Sequence, residues 1–474
     1  MSQAVATKKT QLRPFGWRDK VGYLFGDFGN DFVFIFASSF LMVFYTNVAG
    51  LNPAHVGLIF LGARLLDAFT DVGWGRFLDV HKPSAAGRFR VWVARMALPL
   101  AAMSILLYVP MIGDWAYAAK LTYAAVSYLL WGSVFYTMVN ISYGSMASVM
   151  SADPGDRSSL SVFRTTGAAL AGLFVGVVPP LFIYATVDGV SQVVPSALLV
   201  TAAVFAVLSL GCYALFYLLT TERVVAPRTA APVPFRTVLK ALGQNRALLA
   251  LLVANLLMMV GQFLTQTMSP YLWLNWFNNG QLSSLGALVM IVPMFAIAPF
   301  ASRLGRRFGK KEIAVVAASV AAVLQVVIWL LRIENPWVYL ALALVSTLGL
   351  VLFMMLVWAF ITDVIDDVDV RTKSREDGTI YSINTWARKL GLAIVGGASG
   401  LALALVGFQA GEPTQAPETN YGIYTVTTLG PGILFGLFAV VMHFWYPLDR
   451  TRVASNVAVL HTRAAEHSDD TASD

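Results

Sequence analysis

The sequence reads as an all-α membrane protein with twelve transmembrane helices in two six-helix bundles. Composition is the first reason. Of 474 residues, 57% are hydrophobic and only 12% charged, and the mean hydropathy is +0.68, whereas a soluble protein carries about 25% charged residues. Pattern is the second: apolar runs recur near the roughly 20 residues that a helix needs to cross a bilayer. The third is charge placement, because Lys and Arg gather on alternate loops.

The predicted spans are 21–48, 53–78, 89–112, 118–149, 159–185 and 195–220, then 248–277, 282–304, 312–331, 337–364, 379–407 and 424–446. Turn signals separate them: Asn52-Pro53, Asp153-Pro154-Gly155, Asn278-Asn279-Gly280 and Asn335-Pro336. Residues 1–20 are polar and basic, with no apolar core or cleavage site of a signal peptide. Residues 21–220 form one bundle and 248–446 the other. The loop 221–247 between them holds Pro227, Pro232 and Pro234. The polar tail 447–474 is expected to be disordered. An internal echo relates the halves. Gly75-Arg76-Phe77-Leu78-Asp79 with Gly87-Arg88 follows the second span, and Arg303-Leu304-Gly305-Arg306-Arg307-Phe308-Gly309-Lys310-Lys311 follows the eighth. One set of loop ends carries clusters such as Lys8, Lys9, Arg13, Arg18 and Lys20, while the other side carries Lys120, Arg332 and little else. This bias puts both termini in the cytoplasm of a plasma membrane, the inner one in a Gram-negative cell.

Several function classes drop out. The net charge of +7 comes from short loops, so nucleic acid is not a partner. Cys212 is the one cysteine and the five histidines show no ligand spacing, so no thiolate or histidine metal site is expected. No phosphate-binding Gly-Lys-Ser/Thr loop and no catalytic constellation is present, so neither an enzyme nor an ATP-driven pump is expected. Gly396-Gly397-Ala398-Ser399-Gly400 lies inside a span and reads as close helix packing.

The chain is organised around Arg64-Leu65-Leu66-Asp67-Ala68-Phe69-Thr70-Asp71 in the second span. Asp67 and Asp71 share one helix face, one turn apart. A bare carboxylate at that depth costs about 3 kcal/mol on insertion scales, so it must face a polar cavity with a partner, proton or cation. The alternative is a local ion pair with Arg64, which accounts for one aspartate and leaves the other.

Three stretches carry a resemblance. They are Gly26-Asp27-Phe28-Gly29-Asn30-Asp31-Phe32, the Arg64–Asp71 run, and Asp377-Gly378-Thr379-Ile380-Tyr381-Ser382-Ile383-Asn384-Thr385-Trp386-Ala387-Arg388-Lys389-Leu390-Gly391. Together they resemble the glycoside–pentoside–hexuronide:cation symporter family of the major facilitator superfamily, across the whole transmembrane region. The resemblance implies the major facilitator fold and cation-coupled symport of a sugar or glycoside, driven by H⁺ or Na⁺, with no other cofactor. It implies a sugar-recognising Asp31 and a cation site at Asp67 and Asp71. A family carboxylate shared by the sugar and cation sites falls on Asn140, and a sugar-stacking tryptophan falls on Gly144. Arg164, Trp358 and Lys389 match further family positions. The Asn140 and Gly144 departures bear on the sugar and on the ion.

The same residues have a physical reading. Asp31 lies near mid-membrane beside Asn30, where a carboxylate accepts hydroxyl donors of a sugar through charge-assisted bonds; Asp27 sits one turn earlier on the same face. Lys389 needs a counter-charge, which the aspartates of the other half offer, unless it snorkels to the surface beside Arg388. Arg164 reaches either the cavity or the interface. Trp358, Tyr143 and Tyr381 are candidates for stacking on a sugar, against the ordinary alternative of packing. Asp363 and Asp366 face the basic loop after the tenth span, as gate ion pairs or as solvated helix-end charges. Na⁺ requires several oxygen ligands, which Asp67, Asp71 and the Asn140 amide would supply. A proton needs one carboxylate whose neighbour raises its affinity, and the missing third carboxylate at Asn140 tilts the expectation to H⁺. The expected partners are a small sugar or glycoside, the coupling cation and the lipid bilayer, with the chain a monomer. The same fold would also suit a carrier of a lysolipid or other non-sugar solute, and a different class would be a non-transporting receptor or channel.

Overall fold

The computed structural model describes residues 13–84, 87–224, 245–372 and 377–472. The side chains of Trp358, Tyr381 and Lys389 lie outside the described residues. Among the described residues twelve long helices precede a final surface helix. In the first half they are α1 (Trp17–Val43, continued by Phe44–Val48), α2 (Pro53–Val80), α3 (Arg90–Leu106), α4 (Tyr117–Met150), α5 (Pro154–Val177) and α6 (Pro195–Leu219). In the second they are α7 (Arg246–Trp276), α8 (Ser283–Phe308), α9 (Lys310–Leu331), α10 (Pro336–Thr372), α11 (Asp377–Leu405) and α12 (Pro417–Trp445). A thirteenth, α13 (Arg450–Ala472), follows them.

Local chemistry sets the boundaries. The Asn52 side chain accepts from the Ala54 amide at 2.9 Å, with Pro53 as the first helical residue of α2. Asp153 does the same for Asp156 at 3.0 Å at the start of α5, and Asn245 for Leu248 at 3.0 Å at the start of α7. Inside α4, the segment Leu130–Tyr136 widens to π-helical geometry, a local re-aiming of side chains that recurs at functional sites.

The span placed at 159–185 is found over Pro154–Ile183, its helix interrupted after Val177 and resumed at Pro180, and β1 (Tyr184–Val187) and β2 (Val190–Val193) then form a hairpin. Asp188-Gly189 takes positive φ at both positions, the geometry of a tight two-residue hairpin turn. One expectation is corrected: the tail expected to be disordered is helical over Arg450–Ala472 and anchored. Arg452 Nε and Asn456 Nδ2 reach the buried Asp367 at 3.3 and 3.1 Å, and Arg463 donates to the Asp369 and Val370 carbonyls at the end of α10. Its low hydropathy suits a surface helix held by charge rather than by a buried stripe.

The largest apolar cluster fills the first half and takes in Leu264, Met268, Tyr271, Leu403 and Ile423 of the second, because the two halves meet on the side away from the termini. There α2 crosses α11 on glycine: a Cβ at Gly57 would lie 2.9 Å from the Gly397 carbonyl, and one at Gly400 would collide with the Pro53 carbonyl. Close approach of this kind requires the missing side chains. Gly400→Leu should therefore force α2 and α11 apart. A distance measurement between spin labels on the two helices should show a wider separation, and an unchanged distance would refute this account of the glycines. Thr46 Oγ1 and Tyr271 Oη meet at 2.7 Å across α1 and α7, and the Gly411 amide donates to the Thr46 carbonyl at 2.9 Å.

Candidate functional site

The polar residues of the first half assemble along α4. Ser133 and Thr137 are four residues apart, as are Asp67 and Asp71, and the two helices align these spacings. Ser133 Oγ donates to Asp67 Oδ1 at 2.5 Å, and Thr137 Oγ1 donates to Asp71 Oδ1 at 3.0 Å. Arg64 Nη1 pairs with Asp67 Oδ2 at 3.1 Å, so the local ion pair does form. The result is a two-rung ladder of carboxylate and hydroxyl with a guanidinium at one rung. The side chains of Arg64 and Asp67 are each 16% exposed. Charges this far from solvent stay stable only when paired and hydrogen-bonded, a condition that Asp67 meets.

A second network adjoins the first along α4. Asn30 Nδ2 donates to Tyr136 Oη at 2.9 Å and to Asn140 Oδ1 at 3.3 Å, while Tyr213 Oη from α6 donates to Asn30 Oδ1 at 3.3 Å. Arg164 Nε donates to Asp27 Oδ1 at 3.2 Å. The Arg164 guanidinium lies 5.5 Å from the centre of the Tyr143 ring, which stacks on Tyr23. The Arg164 side chain is 44% exposed while Asp27 is 6% exposed. A buried carboxylate thus holds a guanidinium whose outer end is open. Phe34 joins the two zones: it stacks on Tyr136 and carries the Arg64 guanidinium over its other contact, 5.4 Å from the ring centre. Asp31, next to Asn30 on α1, is half-buried and bears electrostatically on Tyr136 and Tyr213. Beside Gly144, a Cβ would meet nothing within 4 Å, so space opens there.

Several expectations change. Asn140, grouped with the cation ligands, stands instead in the Asn30 network, where its carbonyl oxygen accepts from α1. Tyr143 is fully buried and its hydroxyl donates to the Tyr23 carbonyl at 2.9 Å, so it supports Arg164 from below rather than offering a stacking face. Asp363 pairs with Lys310, the first residue of α9, at 2.6 Å, and the basic loop after α10 that it was expected to face lies outside the described residues. Asp366 is half-buried. The deeper carboxylate at this end of α10 is Asp367, 1% exposed, held by Arg371, Arg452 and Asn456. Sequence reasoning passed over Ser133, Thr137, Tyr136 and Asp367. The shared four-residue spacing of Ser133/Thr137 and Asp67/Asp71 was the signal for the first two.

A profile of the family described as MFS/sugar transport protein matches residues 22–450. The chain belongs to that family. It is a membrane transporter, not an enzyme, with the twelve-helix fold of the major facilitator superfamily. It is 28% identical to a Bacillus subtilis protein named uncharacterized symporter YjmB, over 98% of this chain and 99% of that one. It is 29% identical to the glucuronide carrier protein homolog of Escherichia coli, over 94% and 96%. Among solved structures, a D-xylose-proton symporter superposes with a TM-score of 0.58 at 15% identity, covering 91% of this chain and 97% of that one, which shows the shared fold.

Proposed function

We propose that the chain imports a sugar or glycoside by symport with a single cation, H⁺ in preference to Na⁺, through alternating access of its two halves. The observation that carries this reading is that α4 holds both the Asp67–Ser133, Asp71–Thr137 ladder and, through Asn140, the Asn30 network, with the Asp27–Arg164 pair next to it on α1 and α5. Ion and solute sites then share α4, so occupancy of one biases the other, the coupling that symport requires. The relative named for a glucuronide supports a hydroxyl-rich solute, and the carboxylates and amides on α1 and α4 suit its donors and acceptors. The proton is favoured because Asn140 turns its carbonyl to Asn30, which subtracts one oxygen from a Na⁺ cage. The substrate site is assigned to Asp31, Asn140 and Arg164, with Asn30 and Tyr143 supporting them from behind. The termini are assigned to the cytoplasmic side of the plasma membrane.

The test has two stages. A thermal-shift screen in detergent across disaccharides, xylosides and glucuronides selects the solute. Uptake into proteoliposomes is then driven by a pH gradient, and separately by a Na⁺ gradient at fixed pH. Accumulation is expected with the pH gradient. Accumulation driven by Na⁺ alone would overturn the proton assignment, and failure of both gradients would overturn symport.

A further inference from the structure

We propose that Asn278 and the β1–β2 hairpin form the latch that holds the two halves closed on the side away from the termini. The inference rests on the reading that the halves alternate. The hairpin belongs to the first half, between α5 and α6. Asn278 belongs to the second, in the turn between α7 and α8.

The contact has a definite form. A two-stranded hairpin leaves the outer edge of β2 without a strand partner, and its backbone groups need one. Asn278 provides it. Its Oδ1 accepts from the Ser191 amide at 2.7 Å, and its Nδ2 donates to the Gly189 carbonyl at 2.8 Å. The groups of residues 189 and 191 that flank Val190 point to the same side of the strand. One side-chain amide therefore occupies the place that a peptide unit of a third strand would take. The backbone of Asn278 sits in the left-handed region at φ +47, which Asn tolerates better than most side chains and which aims this amide at the strand.

Neighbouring groups complete the latch. The Gly280 amide donates to Ser191 Oγ at 2.9 Å, and Gln281 Nε2 donates to the Tyr184 carbonyl at 3.2 Å. Gly280 lies flat against the Tyr184 ring, where a Cβ would collide. Ser191 and Gly280 are buried while Asn278 itself is exposed. Water is thus at hand to take over the Asn278 bonds when the surfaces part, so the latch is reversible. Opening this face must separate the α5–α6 connection from the α7–α8 connection, and Asn278 bonds the hairpin backbone on either side of Val190.

The test is the reactivity of a cysteine placed at Gln266, which hydrogen-bonds Ser39 across the halves beneath the latch, in a Cys212→Ser background. A membrane-impermeant thiol reagent applied from the latch side should label it slowly. Asn278→Ala should raise the labelling rate about tenfold, the effect of losing a hydrogen-bonded contact of roughly 1.4 kcal/mol, and Ser191→Ala should raise it further in combination. Unchanged labelling in the double variant would overturn the proposal. Hydrogen exchange on the unsubstituted protein provides a second measurement, independent of how the variants fold. The backbones of 184–193 and 278–282 should open together at one rate, and independent exchange of the two segments would overturn it. Neither readout involves a sugar or an ion. Failure of the latch therefore leaves the transport reading standing, and failure of uptake leaves the latch standing.

Discussion

Asp71→Asn should abolish the dependence of sugar affinity on the cation while leaving the fold intact. In a symporter the two affinities are linked, by factors of about 5 to 150 for typical coupling energies. The substitution removes the charge that a proton or Na⁺ would neutralise, but keeps an oxygen for the Thr137 hydroxyl, which lies 3.0 Å from the native carboxylate. Titration of the selected sugar at high and low cation activity should then give one dissociation constant in place of two. Thr137→Val should produce a partial version of the same loss, since a hydrogen bond to a charged group contributes about 1.5–3 kcal/mol. Asp67→Asn should differ in kind. It strands Arg64, whose guanidinium pairs with Asp67 at 3.1 Å, and breaking a buried ion pair costs about 3–5 kcal/mol. Its main effect should be a lower melting temperature. If Asp71→Asn keeps full cation dependence, the coupling site lies elsewhere.

Much of this architecture is legible in the sequence because a bilayer demands long apolar helices, and Asn-Pro and Asp-Pro turns mark where they break. The aspartate pair is legible for the same reason, since charge inside an apolar run is costly enough to stand out. What hydropathy hides is different. The segment Tyr184-Ala185-Thr186-Val187 reads as the end of a span, yet the Asp188-Gly189 turn makes it a strand. Ser133 and Thr137 are ordinary helix residues in composition, and only the approach of α4 to α2 gives their hydroxyls a purpose. Asn140 was read by its matching position, whereas its place is set by the amide of Asn30 on α1. The partner that Asp363 has among the described residues, Lys310 at the start of α9, is a tertiary fact with no local signal.

Arg164→Gln should weaken sugar binding by about a hundredfold, and its effect on stability should be separable by a second substitution. Arg164 donates from its Nε to Asp27, its side chain is 44% exposed, and a guanidinium carries five N–H donors in a planar fork. Such a fork bonds two oxygens of a sugar or a carboxylate at once, which a lysine ammonium cannot reproduce. Loss of charged hydrogen bonds worth about 1.5–3 kcal/mol gives roughly the stated factor. The single variant also leaves the buried Asp27 without the guanidinium that pairs with it, so part of the loss would reflect a disturbed α1–α5 contact. Asp27→Asn combined with Arg164→Gln removes both charges and should restore the melting temperature. Sugar binding should stay weak in that double variant, because the fork is still missing, and Arg164→Lys should also bind weakly while melting near the native temperature. Recovery of binding in the double variant would show that Arg164 is only a brace between helices and that the sugar is recognised elsewhere on α1 and α4.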